Sequence, residues 1–253
     1  MNLKTIMNHV EIVADIGINH NGDINLASTL VDVCAHEGAD VIKFQTVDAD
    51  RVYKKSDPLH KIFKKNEFTR EEWIYLKQRV EHHGKEFLST PGDMESADFL
   101  EKLGVRRFKI ASDSAKNIKF VNYVLDKNKP VIVSMGMFDN TWDIKELVLD
   151  KYKRIPDYIL HCVSEYPTPI EKAKLMTIEF LSRFFYDSFE GTKIGYSDHV
   201  VGYDASVAAV AMGAMMIEKH IKWNDNCVDA IVSLDPKDFG IMVEKIRNLE
   251  KML

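Results

Sequence analysis

The sequence predicts an α/β protein folded as a single (β/α)8 TIM barrel over residues 1–253, and three observations lead there. A strand-like run followed by an amphipathic helix recurs about eight times, at that barrel's spacing and with nothing left for a second domain. The strands read as continuous apolar runs, as in a parallel sheet buried on both faces. Polar residues gather at the C-terminal ends of those strands, the rim where such barrels build their sites. An open doubly wound sheet is the alternative, but no Gly-x-Gly-x-x-Gly follows any strand.

The first strand is Val10 to Gly17, and the polar loop Asn19 to Asp23 follows it. Asp23 is a cap for a helix from Ile24 to Glu37, where Leu26, Leu30, Val33 and Cys34 share a face and Gly38 ends the run. Asp40 to Thr46 is the second strand. Val47 to Phe68 is the longest connection and carries Arg51, Lys54, Lys55, Lys61, Lys64 and Lys65. Long loops in compact domains are usually functional or mobile; this basic run is read first as a solvated face, second as a phosphate attractor. Thr69-x-x-Glu72 is a capping box opening a helix to His83.

The third strand, Glu86 to Thr90, stops at Pro91, and helix Met94 to Leu103 ends at Gly104. Arg106 to Ser112 is strand four, followed by helix Ile118 to Lys127. Strand five is Val131 to Ser134, closed by Met135-Gly136-Met137, and helix Thr141 to Tyr152 follows. Strand six, Tyr158 to Ser164, runs into the proline-stiffened loop Glu165 to Pro169 and helix Leu175 to Phe185. Lys193 to His199 and Met215 to His220 are strands seven and eight, with a helix from Tyr203 to Ala214 between them. After a loop to Leu234, Asp235-Pro236 starts the last helix, which runs to about Lys251.

A chain of 253 residues, 45% hydrophobic and 29% charged, can bury a large core as a soluble globular protein. A net charge of -5 offers no electrostatic case for nucleic acid or membrane as partner. No apolar run is long enough to span a bilayer, and Met1 to His9 has no apolar core like a signal peptide's. Cys34, Cys162 and Cys227 lack metal spacing and read as reduced thiols, so a cytoplasmic protein is expected.

Asp15, Lys43, Gln45, Thr90, Lys109, Ser112, Ser134, Ser164, Ser197, His199 and His220 all fall at or near strand C-terminal ends. Lys43 and Gln45 share a face, and a buried lysine needs a counter-charge or a ligand. Two lysines with several hydroxyls suit an anion such as phosphate. His199 and His220 end neighbouring parallel strands. On spacing alone they are two unrelated histidines, one paired locally with Asp198; the rim as a whole favours a two-histidine site for a divalent metal acting on a carbonyl. Joining a phosphorylated small molecule to an aldehyde or ketone is the chemistry such a rim fits, and a Schiff-base lysine is an alternative. His20 reads as a loop anchor or a substrate contact, His161 as a satisfied core residue, His82 and His83 as exposed. Met212, Met215 and Met216 read as core filler.

The stretches Ala14 to Gly22, Val41 to Thr46, Ser89-Thr90-Pro91, Phe108 to Ser112, Ser134 to Met137, His161-Cys162 with Tyr166 to Pro169, Tyr196 to His199 and Glu218 to His220 resemble, in order, the N-acetylneuraminate (sialic acid) synthase family. The resemblance covers nearly the whole chain. It implies a condensation of phosphoenolpyruvate with an open-chain amino sugar such as N-acetylmannosamine, giving a 2-keto sugar acid and phosphate. It implies that Lys43, Thr90, Lys109, Ser112, Ser134 and Ser197 hold phosphoenolpyruvate, and that His199 and His220 bind a divalent metal, Mn2+ or Mg2+. Asp15, Gln45, Tyr166 and Asp229 then act at the metal or the sugar. A homo-oligomer is the expected assembly.

Four departures from the family pattern stand out. Asp15 replaces a usual glutamate, Asp113-Ser114 a usual Gly-Glu, and Cys227-Val228 a usual Gly-Pro. The chain also ends at Leu253, before the antifreeze-like C-terminal domain that reaches a partner's active site in most members. A separately encoded antifreeze-like domain protein is therefore a further expected partner. These departures also motivate the other reading, an impaired barrel that binds phosphoenolpyruvate or a sugar acid as a binding or scaffold subunit. Condensation with another aldose, as in the 3-deoxy-octulosonate and 3-deoxy-heptulosonate phosphate synthases, is the related enzymatic reading.

Overall fold

Eight parallel strands form the centre: β1 (Glu11–Gly17), β2 (Val41–Thr46), β3 (Glu86–Pro91), β4 (Phe108–Ile110), β5 (Val131–Ser134), β6 (Tyr158–Cys162), β7 (Lys193–Asp198) and β8 (Met216–His220). This is a computed structural model, and it describes residues 9–188 and 191–253. The segment Met1 to Asn8, read above for a leader, lies outside the described residues. The strand order is β3-β2-β1-β8-β7-β6-β5-β4, with β3 and β4 side by side, so the barrel is nearly closed. Among the described residues no ladder joins β3 to β4.

Period-two alternation sorts the side chains. Val13, Val41, Leu88, Ile132, Tyr158, Leu160 and Met216 point inward and form a small apolar floor. Ile12, Ile42, Phe44, Phe108, Ile159, Ile194 and Ile217 point outward and pack beneath the helices in a much larger cluster. Each fully buried Ile or Phe contributes about 1.5–3 kcal/mol, so this outer shell carries most of the hydrophobic stabilisation. The floor leaves the upper interior free for polar side chains.

The helices follow from their caps. Asp23 accepts from the Asn25 and Leu26 amides to start α1 (Ile24–His36). The connection expected to be one long loop instead holds two short helices, α2 (Ala49–Val52) and α3 (Pro58–Lys65), each started by an aspartate cap. Its basic residues are partly neutralised locally, Arg51 by Asp48 and Asp93, Lys64 by Asp50 and Glu67. The Thr69–Glu72 capping box is fully formed on α4 (Arg70–His82). α5 (Met94–Leu103), α6 (Ile118–Leu125), α7 (Thr141–Glu146), α8 (Met176–Ser188), α9 (Asp204–Ala211) and α10 (Pro236–Glu250) complete the outer layer.

Two further expectations are corrected. α7 does not run to Tyr152: it passes into a π-helical turn, Leu147–Lys151, and Tyr152 leaves in extended backbone with its hydroxyl donating to Ala115 O at 2.7 Å. The fourth strand pairs only over Phe108–Ile110, because its ladder runs to β5 alone and Arg107 is drawn to the barrel floor. No helix of the described residues is long and apolar enough to cross a membrane.

Ion pairs close the end opposite the rim. Arg107 Nε donates to Glu86 Oε1 at 2.8 Å, spanning the β3–β4 seam that lacks a ladder. The same guanidinium pairs with Glu11, whose other oxygen accepts from the Tyr158 hydroxyl. Burial alone would raise the Glu11 carboxyl, but its hydrogen bonds and attraction to Arg107 outweigh that and hold it below its ordinary value. Removing one partner of such a half-buried network leaves uncompensated charge. Arg107→Ala is expected to lose about 2–3 kcal/mol and roughly 4–10 °C of Tm by calorimetry at pH 7. Because the Glu11 pKa is depressed on folding, its share is complete above its unfolded value, about 4.5, and fades as pH falls through the lower folded value. The wild-type advantage should therefore shrink in scans below about pH 4.

Candidate active site

Strand register builds the site. Asp15 on β1 lies opposite Lys43 on β2 and His220 on β8, and Ser197 on β7 lies opposite Glu218 on β8. Inward-facing positions on four adjacent strands thus meet at one level. Lys43 Nζ is 2.7 Å from Asp15 Oδ2 and 3.7 Å from Glu218 Oε1. Lys109 Nζ reaches the same Glu218 oxygen at 3.5 Å and donates to Ser134 Oγ at 2.7 Å. Ser197 Oγ donates to Glu218 Oε1 at 3.1 Å.

All these side chains are buried, so their charges survive only through one another. Burial by itself would lower the Lys43 ammonium; the Asp15 and Glu218 carboxylates outweigh it and push its pKa up. Burial would raise Asp15, but Lys43, then His220 and Lys109, hold it below the usual carboxylate range. Lys109 is shifted down, chiefly by burial, with Lys43 repelling it and Glu218 opposing the change. Two lysines against two carboxylates leave a balanced but tightly strung cluster.

The histidines stand at the other side of the same opening. His199 Nδ1 donates to Val163 O at 2.8 Å, which leaves Nε2 with the lone pair, and the Tyr166 hydroxyl donates to it at 2.8 Å. Burial, aided by repulsion from His220, drops the His199 pKa to about 3, so its ring is neutral. The two imidazole centroids are 5.7 Å apart. Asp198, expected as a local histidine partner, faces outward instead: it accepts from Ser206 Oγ and sits 3.2 Å from Lys219 Nζ, because it alternates with Ser197 and lies behind the sheet.

Asp229 comes from the loop after β8, with Oδ2 3.8 Å from His220 Nδ1. Asn19 ties that loop down, accepting from the Asp229 amide and donating to Ile221 O and Ser233 Oγ. Two glycines make room. Gly17 takes φ +54° at a β1 irregularity just past Asp15, a conformation L side chains rarely adopt. A Cβ on Gly136 would lie 2.4 Å from Cys162 Sγ and 2.8 Å from Ser112 Oγ.

One cavity of about 350 Å3 is lined by Asp15, Lys43, Gln45, Thr90, Lys109, Ser112, Ser134, Tyr166, Ser197, His199, His220 and Asp229, all the residues singled out from sequence. Its volume is in the range of small-molecule sites. Ser164 and Ser114 also line it. His20, by contrast, stacks on Phe68 and accepts from the Gly22 amide, so it anchors the first loop. His161 bonds Ala173 O outside the barrel.

Glu218 was not singled out from sequence, although it shares an inward face with His220 two residues on. Period two on β8 could have found it. The apolar lining from Val52, Tyr53, Leu59, Ile62 and Phe63 was missed too, because the connection that carries it read as loop.

Inside this cavity Asp15 Oδ1, Thr90 Oγ1, Glu218 Oε2 and His220 Nδ1 are buried without a hydrogen-bond partner. Polar atoms in that position favour a ligand or ion that supplies the missing contacts. A divalent cation fits this donor chemistry: imidazole nitrogens beside carboxylates are an N/O set. Among the described residues no three His, Cys, Asp or Glu side chains form a ready-made metal cage; His199 and His220 are the residues that would hold such an ion.

A parallel barrel with two buried lysines, several hydroxyls and two buried histidines at its C-terminal rim defines an α/β barrel with a polar small-molecule cavity at its strand ends. Residues 30–253 match the model of the NeuB family, and the chain belongs to that family. It is 35% identical to N,N'-diacetyllegionaminic acid synthase of Campylobacter jejuni, over 96% of this chain and 77% of that protein. It is 30% identical to human N-acetylneuraminate-9-phosphate synthase, over 96% of this chain and 70% of that one. The crystal structure of an N-acetylneuraminic acid synthetase from Leptospira borgpetersenii, in complex with citrate, superposes with a TM-score of 0.89 at 32% identity, covering 97% of this chain and 85% of the other.

Glu218→Gln tests the charge balance. It leaves Lys109 without a carboxylate and Lys43 with Asp15 alone, and is expected to cost about 3 kcal/mol, or roughly 6–12 °C of Tm. Thermal unfolding at low salt checks this, and inorganic phosphate should raise the variant's Tm more than the parent's.

Proposed function

We propose that this chain condenses phosphoenolpyruvate with an open-chain aldose of the N-acetylmannosamine type, giving a sialic-acid-like 2-keto sugar acid and phosphate. The observation that carries this reading is that two buried lysines and two buried histidines, His199 and His220, line one cavity. Lys43 and Lys109, with Thr90, Ser112, Ser134 and Ser197, hold the phosphate and carboxylate of phosphoenolpyruvate. His199 and His220 would hold a divalent ion, Mn2+ or Mg2+. When bound, that ion supplies Lewis-acid polarisation of the acceptor's aldehyde oxygen.

The enol carbon of phosphoenolpyruvate forms a bond to the aldehyde carbon as the C=C and C=O π bonds break, which leaves a cation at C2 and an oxyanion that takes up a proton to become the product hydroxyl. Water then adds at C2, and the C2–O bond to phosphate breaks. Asp15 stays ionised beside Lys43 with Oδ1 free of hydrogen bonds, and in this reading it takes up the proton which that water releases. Gln45, Tyr166 and Asp229 orient the sugar, the Tyr166 hydroxyl being held by its bond to His199 Nε2 at 2.8 Å. Fixed charges in a water-poor cavity are the main source of rate. A cytoplasmic homo-oligomer, alone or with a separate antifreeze-like domain protein, goes with this reading.

Serine at position 114 favours a second reading, a barrel that binds phosphoenolpyruvate without turnover. Ser114 Oγ donates to Asp113 Oδ1 at 3.0 Å, and both residues line the cavity, so a carboxylate is still present beside the site. Phosphate release from phosphoenolpyruvate with manganese, across N-acetylmannosamine, mannose and arabinose 5-phosphate, decides between the two. Release with one sugar, reduced roughly 100-fold or more in His199→Ala, is expected. Tight phosphoenolpyruvate binding without release, rescued by Ser114→Glu, would instead establish the binding protein. If Asp113 already does the work, Ser114→Glu will not raise activity.

A further inference from the structure

The connection between β2 and α4 carries a surface that the polar chemistry above does not use. Tyr53, Leu59, Ile62 and Phe63 line the cavity. Leu59, Ile62 and Phe63 sit three and four residues apart and share one face of α3. That helix buries none of its residues, and none of the four side chains belongs to the hydrophobic core clusters. Leu59 is 44% exposed.

The helix is nevertheless firmly held. Asp57 caps it, accepting from the Leu59 amide at 2.9 Å. Lys64 bonds Asp50 and Glu67 at 2.7 and 2.9 Å, and the Tyr53 and Phe63 rings stack at 5.2 Å. An apolar face is thus fixed over the cavity instead of the core. Phosphoenolpyruvate is small and multiply charged, and sugar hydroxyls would lose hydrogen bonds against such a wall. Only an apolar part of the second substrate gains by meeting it.

We infer that α3 and Tyr53 form an acceptor subsite for a methyl-ended substituent: the acyl group of an acylamino sugar or the terminal methyl of a deoxy sugar. This rests on the proposed condensation with an aldose. It adds that the barrel itself, through Tyr53, Leu59, Ile62 and Phe63, selects which aldose is used.

The test is steady-state phosphate release with phosphoenolpyruvate and manganese, using mannose, N-acetylmannosamine and 6-deoxymannose. Preference over mannose of about tenfold or more in kcat/KM is expected for one methyl-bearing sugar, and which one identifies the substituent. Phe63→Ser and Leu59→Asn should erase most of that preference while moving the KM for phosphoenolpyruvate less than about twofold. Phe63→Leu, which keeps the wall apolar, and Lys61→Ala, on the exposed side of α3, should retain it. Equal use of all three sugars, or parallel loss on all three in both polar variants, would overturn the subsite. Absence of release with every sugar would count against the condensation and not by itself against the subsite. Calorimetric titration of the same sugars into the phosphoenolpyruvate-loaded protein then decides. Tighter binding of a methyl-bearing sugar, lost in Leu59→Asn, sustains the subsite; equal or undetectable binding of all three overturns it.

Discussion

Glu218 between Lys43 and Lys109 is the interaction on which the upper half of this barrel depends. Two ammonium groups in a dry interior repel each other and each loses hydration, so neither is tolerable alone. The carboxylate offsets both, and Asp15 completes the balance from the neighbouring strand. The hydroxyls of Ser134 and Ser197 then take fixed positions because they bond members of that cluster. Removing the cluster would leave a polar cavity with nothing to aim its donors.

The barrel makes that cluster affordable by dividing its interior. Apolar inward residues such as Val13, Leu88 and Met216 fill the floor. The Arg107 network seals the end beneath them and bridges the β3–β4 seam. Above the apolar floor the inward residues are polar and line the cavity. The short fourth strand and the Arg107–Glu86 bridge belong together: the ion pair joins the two strands where backbone hydrogen bonds do not.

The neutral state of His199 has a related origin. Its Nδ1 hydrogen bond to Val163 O fixes the ring and the tautomer, leaving Nε2 to accept from the Tyr166 hydroxyl. Burial removes the protonated form. The opening therefore has one side built on lysines and one built on histidines. The apolar face of α3 adds a third kind of surface.

Much of this was legible in the sequence. Strand alternation and helix caps are local, so β5, α1, α4 and α5 fall where periodicity and the Asp23, Thr69 and Gly104 signals place them. The rim residues were legible because each interrupts an apolar run at its end. What the sequence did not reveal depends on neighbours far along the chain. The pairing of Glu218 with two lysines is set by strand register and by which strand closes on β1. The outward turn of Asp198 is set by the face that Ser197 occupies. The apolar side of α3 reads from sequence like any surface segment; only the tertiary structure decides that it covers a cavity and not a core. By itself the sequence determined the barrel and the membership of its rim. The three-dimensional arrangement decided which charges neutralise each other, because attraction between buried charges falls off over a few ångströms and only folding sets those distances.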